Sequence, residues 1–69
     1  MSVSYKPLWK LLIDKDMTRT QLQQKAELSS ATIAKLGKDG NVTTEVLAKI
    51  CGALGCDIGD VCEVVKEEN

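Results

Sequence analysis

The chain has 69 residues, of which 43% are apolar and 28% charged, and a formal net charge of −1. These are ordinary values for a soluble globular domain, and the length predicts one domain over 1–69 with a modest core. With no His residue, and with Cys51, Cys56 and Cys62 forming no CxxC pair, the composition excludes a zinc site and imidazole-based catalysis.

The odd set of three cysteines reads as free, partly buried thiols in a reducing cytoplasm. The segment after Met1 leads straight into a charged amphipathic stretch, so no signal peptide is predicted. No apolar run approaches a membrane span. The chain is therefore expected to be a complete, small cytoplasmic protein. Charge is unevenly spread. Residues 1–56 carry eight cations against five carboxylates, a net of +3. Residues 57–69 carry Lys66 against Asp57, Asp60, Glu63, Glu67 and Glu68, a net of −4. A mildly basic body with an acidic tail permits one face of the body to meet phosphates.

Five short helices are predicted. In the first, Lys6–Lys15, residues Leu8, Leu11 and Leu12 share a face, with Trp9 beside them as a packing residue. Pro7 suits the first turn, where its missing N–H costs nothing. Thr18-Arg19-Thr20-Gln21 is a capping box that opens a second helix to about Ala26, with Leu22 and Ala26 inward. After a turn containing Leu28, Ser29 caps a third helix, Ser30–Leu36, with Ile33 and Leu36 inward. Gly37 is a natural left-handed terminator for it.

Lys38–Val42 reads as a loop. Thr43 caps the fourth helix, whose Leu47, Ile50, Cys51 and Leu54 form a core face, and Gly55 ends it. Asp57 can cap a short fifth helix from Ile58. The tail from Val61 to Val65 can either continue that helix or run extended. Asp57 and Asp60 read as a cap and a first-turn acid rather than a paired acid site.

Two short helices joined by a tight turn are the geometric requirement of a helix-turn-helix. Here that unit covers about residues 18–36. Its second helix leaves Ser30, Ala31, Ala34 and Lys35 on the face opposite the core, with Thr32 at the edge. Small, hydroxyl and cationic groups of this kind suit base edges and thymine methyls.

These residues carry a resemblance. Leu8-Trp9-Lys10-Leu11-Leu12, Thr20-Gln21-Leu22, Leu28 through Leu36, Leu47-Ala48-Lys49-Ile50-Cys51 and Cys56 through Val61 together resemble Cro/CI-type helix-turn-helix regulators of the xenobiotic-response-element class. Residues 5–65 are covered. Within that family the chain is similar to compact bacterial regulators such as those of VanG-type vancomycin-resistance operons. The resemblance implies an all-α, compact five-helix, lambda-repressor-like fold, double-stranded DNA as partner and a homodimer, with no cofactor and no enzymatic activity.

By position, the resemblance implies that Ser30, Ala31, Thr32 and Lys35 face bases. Arg19, Ser29, Lys38 and Asn41 are expected to meet phosphates. The apolar tail residues Val61, Cys62, Val64 and Val65 are the candidate dimer surface. Two positions depart from the family pattern. Gln23 stands where a small Ala usually lets the helices approach. Glu27 stands where the turn usually has a Gly with positive φ, at a strain of about 1 kcal/mol. The acidic balance and Glu27 leave a second reading open: a protein-interaction module, such as an antitoxin or a modulator of another regulator.

Overall fold

The computed structural model describes residues 2–66. Glu67 and Glu68 of the acidic tail lie outside the described residues, as does Met1. The order of elements is β1 (Ser2–Ser4), α1 (Lys6–Asp14), α2 (Arg19–Lys25), α3 (Ser30–Gly37), α4 (Thr44–Leu54), a 3₁₀ turn (Ile58–Asp60) and β2 (Glu63–Val65). β1 and β2 pair antiparallel, with Ser2 opposite Val65, Val3 opposite Val64 and Ser4 opposite Glu63. The two ends of the described chain are thereby tied together.

The predicted caps form. Thr18 accepts from Gln21 N–H at 3.1 Å while the Gln21 side chain accepts from Thr18 N–H at 2.8 Å. Ser29 and Thr43 accept from the amides of Thr32 and Val46. Each of these bonds satisfies an amide that the first helical turn cannot.

All four helices stop in the same way. The chain turns left-handed just past the last turn, at Asp16 (φ 55°), Glu27 (φ 56°), Asp39 (φ 54°) and Gly55 (φ 66°). The next amide then returns five residues to a helical carbonyl: Met17 to Leu12, Leu28 to Gln23, Gly40 to Lys35 and Cys56 to Cys51, at 2.7–3.1 Å. This is the Schellman closure, which satisfies orphan carbonyls and turns the following side chain inward. Leu28 is buried as a result, and Met17 and Cys56 pack against the core.

Three expectations are corrected. The fifth helix is a single 3₁₀ turn, and of the two courses open to the tail the extended one is taken. Asp57 and Asp60 bond each other's ends of that turn. Past that turn the chain pairs with β1 as β2. Gly37 is not the left-handed terminator of α3. It is the helix's last residue, and Asp39 takes the left-handed position two residues on. Finally, Val61 is fully buried at 0% exposure, so it belongs to the core and not to a dimer surface.

The core is aliphatic, as the composition requires. Leu8 and Leu12 of α1, Leu22 of α2, Leu36 of α3 and Ile50 and Leu54 of α4 converge with Tyr5, Ala26, Leu28 and Val61. Burying a Leu or Ile side chain of this kind contributes about 1.5–3 kcal/mol each. α2 and α3 both pack into this core through one face only, which fixes the turn between them and leaves the rest of α3 at the surface.

Candidate nucleic-acid interface

Ser30, Ala31, Ala34 and Lys35 of α3 are exposed, and Thr32 is half-buried at the edge of the same face. Ile33 and Leu36 pack inward. The outward face is thus made of small groups around one cation, with no side chain bulky enough to keep a flat surface away. Lys35 lies in the last turn of α3, where a cation is favoured by the helix dipole.

Ser29 is already engaged. Its hydroxyl accepts the Thr32 amide at 3.1 Å and shares a second bond with the Thr32 hydroxyl at 2.9 Å. The pair orients Thr32 as well as capping the helix. Beside α3, an open groove of about 300 Å³ is lined by Thr32, Lys35, Asn41, Val42, Thr43 and Val46. Two of the expected base-facing residues and Asn41 are therefore brought to one concavity, between α3 and the start of α4. Lys38 is exposed at the C-cap of α3.

The loop under this groove is held from the other end of the chain. Tyr5 N–H donates to Asp39 Oδ1 at 3.0 Å, and Tyr5 O–H donates to the Gly40 carbonyl at 2.9 Å. Burial raises the Tyr5 phenol above its ordinary value of 10.0, with Cys62 and Asp39 adding to the effect. At neutral pH the hydroxyl is protonated and able to donate.

Arg19 projects from the start of α2, exposed, with its guanidinium carbon 4.0 Å from the centre of the Trp9 ring. Trp9 packs against the core, as its place beside Leu8, Leu11 and Leu12 predicts, and carries this contact as well. The cation–π pair carries no local sequence signal, because ten residues and a helix end separate its members. The tail residues expected at a dimer surface divide. Val64 is 66% exposed and Val65 39% exposed, Cys62 is half-buried, and Val61 is inside.

The three cysteines are free and half-buried. Burial, and then the neighbouring Cys56, push the Cys51 thiol above its ordinary value of 9.0, which makes it a poor nucleophile at neutral pH. Among the described residues, no group of three or more His, Cys, Asp or Glu side chains is placed to hold a metal ion, and no helix is long and apolar enough to cross a membrane.

Comparison with known proteins bears on this arrangement. A family model described as the Cro/C1-type helix-turn-helix DNA-binding domain matches residues 7–67. Among solved structures, the crystal structure of the transcriptional regulator VanUg is similar at a TM-score of 0.92 and 50% identity, over 96% of this chain and 88% of that one. That match agrees with the likeness to VanG-type regulators seen in the sequence. A comparison with curated proteins gives no match.

Proposed function

The chain belongs to the Cro/C1-type helix-turn-helix DNA-binding family, and from that premise we propose that it is a sequence-specific regulator of transcription that binds double-stranded DNA as a homodimer. In this reading residues 1–69 act as one DNA-binding domain, and α3 enters the major groove. Ser30, Ala31, Thr32 and Lys35 face the base edges, where hydroxyls and an ammonium can read acceptors and methyls. Arg19, Ser29, Lys38 and Asn41 surround them and meet phosphates, which set register rather than sequence. The observation that carries the reading is the composition of the exposed face of α3: small and hydroxyl side chains around Lys35, on a helix whose other face is locked into the core.

One recognition helix of this length reaches few base pairs. A two-fold dimer doubles the contacts and sets half-sites about 34 Å apart. Val64 and Val65, exposed on β2, are the surface proposed for pairing, with Cys62 beside them. The test is selection from random duplex DNA, with sequencing of the bound pool at low and moderate salt. Enrichment of an inverted repeat is the expected result. A folded protein that enriches nothing would overturn the reading and direct attention to a protein partner instead.

A further inference from the structure

Arg19 is electrostatically misplaced. It is the first residue of α2, where the helix dipole disfavours a cation, and the first turn contains no acid to offset it. Its side chain instead leaves that helix. The guanidinium carbon lies 4.0 Å from the Trp9 ring centre on α1. On another side, a Cβ added at Gly37 would stand only 3.1 Å from Arg19 Nη1. The guanidinium therefore lies against an indole on α1 and the bare end of α3, which is that helix's negative pole. A planar cation suits this slot and a lysine ammonium does not. Stacking occupies a face of the guanidinium and leaves its N–H edge, on an exposed residue, free to donate.

We propose that Trp9 and Gly37 form a holder that pre-orients Arg19 toward a DNA phosphate, with Trp9 a positioning residue that acts through Arg19. The inference rests on the DNA-binding reading above and deepens it. Holding a long side chain in its bound geometry lowers the entropy cost of the contact. Gly37 contributes by having no side chain. Its helical backbone would otherwise accept Ala readily, since Ala is the better helix former.

The experiment measures affinity for a short random-sequence duplex over a series of salt concentrations. The proteins are the wild type, Trp9→Leu, Trp9→Phe, Gly37→Ala and Arg19→Ala, together with Trp9→Leu, Trp9→Phe and Gly37→Ala each combined with Arg19→Ala. Trp9→Leu and Gly37→Ala should each weaken binding about two- to fivefold, while Trp9→Phe, which keeps an aromatic face, retains most of it. Gly37→Ala should do so without lowering the melting temperature. In the Arg19→Ala background the same changes should have no further effect. Trp9 is the sole tryptophan, so its emission should change when the wild type binds duplex and not when Arg19→Ala does. If Trp9→Leu and Gly37→Ala bind like the wild type, or weaken Arg19→Ala as much as they weaken the wild type, the holder is wrong although DNA binding stands. If the folded wild type binds no duplex, the functional reading fails and the holder with it.

Discussion

Tyr5 and Asp39, 34 positions apart, are joined where the Tyr5 amide donates to the Asp39 carboxylate at 3.0 Å. The Tyr5 hydroxyl bonds the neighbouring Gly40 carbonyl at 2.9 Å. Asp39 is also left-handed, at φ 54°. The residue that closes α3 is thus strained in its backbone and rewarded through its side chain. Because the loop it begins borders the groove beside α3, Tyr5, between β1 and α1, holds part of the proposed DNA face in place.

Removing either half of this clamp should destabilise the fold by a predictable amount. Tyr5→Phe deletes one buried hydrogen bond and should cost about 0.5–1.5 kcal/mol. Asp39→Asn keeps an acceptor oxygen and a residue tolerant of the left-handed region, and should cost less than Asp39→Ala, which loses both. Urea denaturation gives the comparison. If Asp39→Ala is as stable as Asp39→Asn, the side chain of Asp39 does not hold Tyr5.

The same environment gives the stability a definite pH dependence. Tyr5 and Cys51 are acids whose protonated forms the fold favours, so their pKa values are raised above 10.0 and 9.0. In the window between the unfolded and folded values the native state binds more protons than the unfolded chain, and stability falls as pH rises. The contribution is fully present below about pH 9 and is lost progressively through the folded values. Denaturation midpoints measured from pH 8 to 11 should decline for the wild type and decline less for Tyr5→Phe. Equal slopes would mean that Tyr5 titrates as it does in the unfolded chain.

Three of the four described helices close on a left-handed residue other than glycine and the fourth on Gly55, and substitutions at Glu27 and Gly55 should show the difference. Glu27→Gly removes a side chain that the left-handed region disfavours, at some entropic cost in the unfolded state, and should stabilise by about 0.5–1 kcal/mol. Gly55→Ala, at φ 66°, should destabilise by about 1–2 kcal/mol although nothing lies within contact range of the added methyl. A destabilised Glu27→Gly variant would assign the Glu27 side chain a role of its own.

Those helix ends also show what local sequence could and could not say. Thr18, Ser29 and Thr43 declare themselves, because a short hydroxyl side chain before an apolar-periodic run has one favourable use. Leu22, Leu36, Ile50 and Leu54 follow from spacing alone. Gly37 misled because glycine is the usual left-handed residue, whereas a hydrogen bond from Tyr5, invisible locally, makes Asp39 the better site. The tail from Val61 to Val65 could not be assigned to helix or extended chain from its neighbours, since its strand pairs with Ser2–Ser4 at the other end of the chain. Arg19 was legible as a surface cation, but its position over Trp9 depends on how α1 packs beside α2.

Pairing through β2 can be tested apart from DNA. Val64 is 66% exposed and lies opposite Val3 in the sheet, so Val64→Asp should leave the fold intact while placing two like charges across a two-fold interface. Sedimentation should show a dimer for the wild type and a monomer for the variant. A wild type that is monomeric both alone and on DNA would remove the dimer from the proposal.

The proposed division of labour on the DNA face makes opposite demands on Lys35 and Arg19. Lys35 lies on the outward face of α3, beside the groove that Thr32 and Asn41 share, and should touch base edges. Lys35→Ala is expected to cost about 1–3 kcal/mol on the preferred site and to flatten the preference at one position. Arg19, held at the start of α2, should touch phosphate only. Arg19→Ala should weaken all sequences alike and reduce the salt slope by about one. For the wild type, neutralising about four to six phosphates gives log K a slope of about −4 to −5 in log[salt]. The slope and the selected motif together separate the roles. A variant that lowers the slope but keeps the motif has lost a phosphate contact, and one that keeps the slope but loses the motif has lost a base contact. If Arg19→Ala changes the motif, the phosphate-only role assigned to Arg19 is wrong.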